Sequence, residues 1–184
     1  MKIKKIINYC KKRGVLYLID GDGTQWISDG VAIYPLFNMP VFDEDSILKA
    51  YDISSEKAEK MKIQRKSQLP TEFDFSDNAD EIVCEIGDVI FGNALALSTS
   101  QGLMFIDRKY LAPFADTTDD MLYIFERVDP NGGVYFAVKI GFSLVAIIMP
   151  YDCVNENFVE RLKKYYVQSK LALENKSFAA QKHE

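Results

Sequence analysis

The 184-residue chain contains one histidine, three cysteines and one tryptophan, and each scarcity removes chemistry. The histidine is His183, in a polar C-terminal stretch. No Ser-His-Asp or Cys-His pair and no histidine-based metal centre can therefore be built inside the fold, and any catalysis would have to run on carboxylates, Lys or Tyr. Cys10, Cys84 and Cys153 are an odd set with no CxxC pair, which argues against a disulfide framework or zinc site and for small buried hydrophobes. The longest apolar run, Phe142 to Met149, is far short of the ~20 residues that span a bilayer. The Lys-rich start is not followed by an apolar h-region either. These features predict a cytoplasmic protein with no membrane partner and no cofactor.

What is present suits a globular domain: 48% of residues are hydrophobic and 12% aromatic. A chain of this length can bury about 70% of the surface its unfolded form exposes. The net charge of -5 is unevenly spread. Lys2, Lys4, Lys5, Lys11, Lys12 and Arg13 crowd the first turns with no acid among them, whereas Glu72, Asp74, Asp77, Asp80, Glu81, Glu85 and Asp88 fill a segment with no base. Such asymmetry either orients a protein on a charged partner or gives two solvated faces.

Ile3, Ile6, Ile7 and Cys10 fall at helical spacing, so Lys2 to Lys12 reads as an amphipathic helix stopped at Gly14. Strands follow at Val15–Ile19, Thr24–Ser28 and Val31–Leu36, separated by the turn signals Asp20-Gly21-Asp22-Gly23 and Asp29-Gly30. Asp43-Glu44-Asp45 opens a short helix and Ser54-Ser55-Glu56 caps another turn. A strand is expected between Met61 and Gln68, an exposed connection over Glu72–Asp80, and a strand over Glu81–Ile86. Leu95–Ser98 and Leu103–Ile106 read as a hairpin. Asp107 caps a helix that Pro113 shortens or kinks. The segment Met121–Tyr151 is an antiparallel meander, its last run apolar enough to be covered on both faces. Asn155 precedes a long helix bearing Phe158, Leu162, Tyr165, Tyr166, Ser169 and Leu173 on one face.

The first and last parts share one grammar, a helix followed by three antiparallel strands and a proline. VLYLIDG, TQWIS and VAIYP follow the first helix; MLYIFER, VYFAVKI and FSLVAIIMP follow the second. Two copies of one supersecondary unit predict a pseudo-symmetric α+β domain. With FIDRKYLAPF and the closing LVAIIMP, the pattern resembles the DNA sliding-clamp superfamily over about half the chain. The resemblance implies a DNA-clamp-like α+β fold of two helix-plus-antiparallel-strand units with a C-terminal helix. It places one domain over residues 1–173, an insertion at 40–95, and a flexible tail at 174–184. It further implies a non-enzymatic binding module acting on duplex DNA or with replication proteins, with Lys4, Lys5, Lys11, Lys12 and Arg13 on the first helix and Arg108 and Lys109 on the second facing the DNA. Sheet edges in such a domain also predict a homodimer or a protein partner. A protein-interaction domain without DNA contact is the alternative that uses the same surface.

Val15 to Thr24 resembles instead the first motif of haloacid-dehalogenase-like phosphatases, an apolar strand followed by D-x-D-G-T. That likeness implies Asp20 as nucleophile, Asp22 as general acid and base, and Asp88 in Ile86-Gly87-Asp88 as a further Mg²⁺ ligand. Such enzymes need a parallel sheet with crossover helices, whereas the short links here join antiparallel neighbours. An EF-hand is excluded, because Gln25 and Val31 stand where the loop requires Gly and Glu.

Overall fold

The computed structural model describes residues 1–21, 23–77, 79–116, 122–153 and 156–181. The chain divides into two compact units, Met1–Tyr151 and Asp152–Glu184. The second contains α4 (Glu156–Gln181), which bears exposed Leu162, Tyr165, Tyr166 and Leu173.

The first unit is mixed α+β. It starts with α1 (Ile3–Arg13), whose buried residues Ile6, Ile7 and Cys10 fall at the expected spacing. Gly14 ends the helix at φ 69°, a conformation that favours glycine, and its N–H donates to the Cys10 carbonyl. Lys11, Lys12 and Arg13 occupy the last turn, where cations complement the helix dipole. Strands β1 (Val15–Asp20), β2 (Gln25–Ser28) and β3 (Ala32–Pro35) follow as an antiparallel meander. Next come α2 (Glu44–Ala50), capped by Asp43 through a reciprocal bond with Ser46, then α3 (Ser55–Glu59) and β4 (Lys62–Lys66). Then follow β5 (Ile82–Val83), β6 (Glu85–Phe91), β7 (Ala94–Thr99) and β8 (Gly102–Asp107). A 3₁₀ helix, Arg108–Phe114, is capped by Asp107 and contains Pro113. The unit closes with β9 (Leu122–Val128), β10 (Val134–Ile140) and β11 (Ser143–Ile148).

Among the described residues, eight strands form one mixed sheet in the order β4-β1-β2-β3-β11-β10-β9-β5, and β6-β7-β8 form a smaller antiparallel sheet. The two meanders therefore meet in the middle, where β3 and β11 pair antiparallel through Ile33 and Ile147. One pairing differs from the purely antiparallel expectation: β4 lies parallel to β1, from Val15 opposite Lys62 to Ile19 opposite Lys66. The intervening strands and helices supply the long crossover that a parallel pair needs.

The two faces of the large sheet carry separate cores. On one, Leu16, Leu18, Ile27, Tyr34, Phe136, Val138 and Ile148 pack against Ile6 and Ile7 of α1, Ile47 of α2, Tyr110 and Phe114 of the 3₁₀ helix, and Leu95, Leu97 and Ile106 of the small sheet. On the other, Ile19, Trp26, Ile33, Tyr135, Ala137, Leu144 and Ile147 pack under Leu69, Phe73 and Phe75. Segment 69–77 is thus not simply the exposed connection that its acidic sequence suggests. Its carboxylate residues Glu72, Asp74 and Asp77 are exposed while its two phenylalanines are half-buried. Strand order explains why: β4 and β5 are opposite edges, about 34 Å apart at 4.8 Å per strand, so the link between them must cross the sheet.

Candidate nucleic-acid interface

The first helix and the 3₁₀ helix lie side by side. The Lys2 N–H donates to the Pro113 carbonyl at 2.8 Å, so the uncapped start of α1 finds its partner on the second helix. Lys5 Nζ donates to the Ala112 carbonyl at 3.0 Å and Tyr9 Oη to the Lys109 carbonyl at 2.7 Å. The Tyr9 and Tyr110 rings meet edge to face at 5.7 Å.

Beneath the pair is a buried polar centre on Asp29, which is 1% exposed. Its Oδ1 accepts the N–H groups of Val31 and Ala32, each at 3.0 Å, which shapes the β2–β3 turn. Its Oδ2 accepts the Tyr110 hydroxyl at 2.9 Å, and the Tyr34 hydroxyl donates to the Tyr110 carbonyl at 2.9 Å. Burial, then the Asp29 charge, raises the pKa of Tyr110 well above the usual phenol range, so this hydroxyl remains a donor. The same two causes raise Cys10, which leaves it an inert thiol inside the core.

The seven basic candidates separate by what holds them. Lys5 is committed to Ala112, Lys11 Nζ donates to the Tyr51 carbonyl at 3.1 Å, and Arg13 Nε donates to the Asp29 carbonyl at 3.1 Å. Lys109 pairs with Asp107 at 2.6 Å and lies over the Tyr110 ring. Lys4, Lys12 and Arg108 are exposed, and their side chains make no hydrogen bond or ion pair among the described residues. Lys4, Asn8 and Lys12 recur at intervals of four and form the outward crest of α1, opposite Ile6 and Cys10. Spacing could show that crest; it could not show which lysines the neighbouring carbonyls would take.

The phosphatase residues are not assembled into a described site. Asp20 ends β1 and accepts Arg65 Nε at 2.9 Å and Nη2 at 3.2 Å, with Gln25 Nε2 at 3.2 Å. The Arg65 bond lowers its pKa, so it is a carboxylate, but one engaged by a guanidinium. Its strand does have a parallel neighbour in β4, yet β2 on the other side is antiparallel. Asp22 lies outside the described residues, and Asp88 is in β6 of the smaller sheet with its side chain likewise outside them. Among the described residues no group of three or more His, Cys, Asp or Glu is placed to hold a metal ion, and no helix is long and apolar enough to cross a membrane.

The periodicity also missed a second charged cluster, on the opposite face. Arg127 of β9 is 2% exposed and Lys139 of β10 is 5% exposed. Arg127 donates to the Asp74 carbonyl at 2.7 Å, the Ser76 carbonyl at 3.0 Å and Glu81 Oε2 at 2.7 Å. Lys139 Nζ donates to the Asp77 carbonyl at 2.7 Å and to Glu81 Oε1. The only sequence signal is that both cations occupy inward positions of apolar strands. Family models, curated proteins and solved structures show no match to this chain.

Proposed function

We propose that the protein is a non-enzymatic module of clamp-like architecture that binds duplex DNA through the outward crest of α1 and the start of the 3₁₀ helix. The observation that carries this reading is the selective freedom of Lys4, Lys12 and Arg108 on a helix pair whose other cations are bound in place. The committed cations fix the two helices to each other and to the sheet, and the uncommitted ones can meet phosphates without breaking a structural bond. The mirrored strand order around β3 and β11, each half preceded by one of these helices, supports the pseudo-repeat that the clamp resemblance implies. A role beside replication proteins, and self-association through the β4 or β5 edge, belong to the same proposal.

Three phosphate contacts made by Lys4, Lys12 and Arg108 would give a slope of log K against log salt near -3, because each contact releases condensed counterions. The test is fluorescence anisotropy with a labelled duplex of arbitrary sequence between low and physiological salt. The wild type is expected to bind without sequence preference, and Lys4→Glu/Lys12→Glu to lose binding with a shallower salt slope. Equal binding by both proteins, or none by the wild type at low salt, overturns this reading in favour of a protein-interaction domain.

A further inference from the structure

The sheet face opposite the helix pair has an unusual composition. Register places Lys62, Gln64 and Lys66 of β4, Tyr17 and Ile19 of β1, and Trp26 of β2 on that face. It likewise places Tyr135, Ala137 and Lys139 of β10 beside Arg127, Phe125 and Tyr123 of β9. These strand positions carry five aromatic rings, four cations and no carboxylate. The cations sit on the rings: Lys66 and Lys62 lie 4.5 and 5.5 Å from the Tyr17 centroid, and Lys139 lies 5.0 Å from that of Phe125. The carboxylate that pairs with Arg127 and Lys139 is Glu81, at the end of the acidic segment Leu69–Glu81, which also contains Glu72, Asp74, Asp77 and Asp80.

This segment meets the sheet as an irregular, turn-containing acidic stretch carrying two planar rings. The Phe75 ring meets Trp26 edge to face at 4.9 Å and the Phe73 ring meets Tyr135 at 5.0 Å. The Arg127 guanidinium grips the backbone carbonyls of Asp74 and Ser76, and Lys139 grips that of Asp77. The Tyr135 hydroxyl oxygen accepts the Asp74 N–H at 2.9 Å. The strap's rings pack edge to face on these aromatic side chains rather than stacking, but exposed aromatic faces beside Arg and Lys that hold oxygens are what a sheet uses to bind single-stranded nucleic acid. A groove of about 580 Å³ lies beside the strap, lined by Glu72, Phe73, Asp129, Asn131, Tyr135 and Met149.

We propose that this face is a binding surface for single-stranded DNA and that the chain's own strap, Leu69–Glu81, occupies it as an acidic and aromatic mimic of that ligand. Bases replace Phe73 and Phe75 against Trp26 and Tyr135, and phosphates replace the strap's carbonyls and carboxylates at Arg127 and Lys139. Lys62 and Lys66, which make no hydrogen bond or ion pair with the strap, extend the track across Tyr17. The surface lies on the opposite side of the sheet from Lys4, Lys12 and Arg108, so the two readings fail separately.

Trp26 is the chain's one tryptophan and lies beneath the strap, which supplies an internal probe. Oligo(dT) of 15 nucleotides is titrated into the wild type and into Phe73→Ala/Phe75→Ala at low salt, following Trp26 emission together with anisotropy of the labelled oligonucleotide. The strap variant is expected to bind at least tenfold more tightly than the wild type, with Trp26 quenched on binding. Adding Lys62→Glu/Lys66→Glu removes that gain, whereas Lys4→Glu/Lys12→Glu leaves oligo(dT) binding and abolishes duplex binding. No gain in the strap variant, or binding without Trp26 quenching, overturns the proposal. Preference for oligo(U) over oligo(dT) overturns the assignment to DNA. If circular dichroism shows the strap variant unfolded, Lys62→Glu/Lys66→Glu in the wild type decides. A fivefold loss of low-salt oligo(dT) binding and of Trp26 quenching supports the proposal, and no change overturns it.

Discussion

The two faces of the large sheet are covered by different means, and the difference shows what each kind of cover can do. The helix side is covered by regular elements whose apolar stripes interdigitate with Leu16, Leu18, Phe136 and Val138, and its polar content is concentrated in the Asp29 centre. The strap side is covered by a segment with no internal ladder, held by two phenylalanines and by the Arg127–Glu81–Lys139 cluster. The first cover contributes through apolar area, which is lost only when the whole unit opens. The second depends on a few anchors, and such segments open locally at free energies below the global one.

The largest effect should come from the helix side. Phe136 is fully buried, so Phe136→Ala should destabilise the unit by about 3–5 kcal/mol, read by urea denaturation as a lower midpoint with an unchanged slope. On the strap side Arg127→Ala should cost about 3 kcal/mol, because Glu81 Oε2 and the carbonyls of Asp74 and Ser76 lose their donor while Lys139 still holds Oε1. Limited proteolysis should find its new cuts within 69–81 before the rest of the unit unfolds. Equal protection of the strap and the core strands in that variant would break the contrast between the faces.

Tyr110→Phe sharpens the helix side. It removes one donor from buried Asp29 and should cost about 1–2 kcal/mol by the same denaturation measurement, with the fold unchanged. The smallest effect belongs to Asp20, half-exposed at the end of β1. Its folded pKa is depressed by Arg65, so its contribution is present above the ordinary Asp value and is lost as pH falls through the folded value. At pH 7 Asp20→Asn should cost no more than about 0.5 kcal/mol after solvent screening. The difference in Tm between variant and wild type should shrink toward zero below about pH 4. A difference that does not shrink as the pH is lowered below the ordinary Asp value would mean that the pair is not its source.

The elements that read well were those whose signal is local. The stripe Ile3, Ile6, Ile7, Cys10 with Gly14 marks α1, and the turn chemistry of Asp129 to Gly133 marks the β9–β10 hairpin. There Asp129 Oδ1 accepts the N–H groups of Asn131 and Gly133. Pro113, which has no N–H to donate, limits the second helix to a 3₁₀ segment, in keeping with its position. The basic crest of α1 was legible for the same reason, as a face of one helix. What did not read was everything that depends on a distant partner. Parallel pairing of β4 with β1 leaves no local trace, because Lys62–Lys66 alternates weakly. The acidic composition of Glu72–Asp80 hid the role of Phe73 and Phe75, since two aromatic residues in a polar run have no period.

The sequence by itself determined the helices, the two meanders and the separation of a basic start from an acidic middle, since these follow from periods and turn residues within a few positions. Tertiary structure alone decided which lysines are spent on carbonyls and which remain exposed. It also decided that β4 and β5 stand at opposite edges of one sheet. That second decision compels segment 67–81 to traverse the far face, where its phenylalanines find Trp26 and Tyr135 and its carbonyls find Arg127. The reason is geometric: side chains separated by some fifty residues meet only after the sheet has set the distance its connection must span.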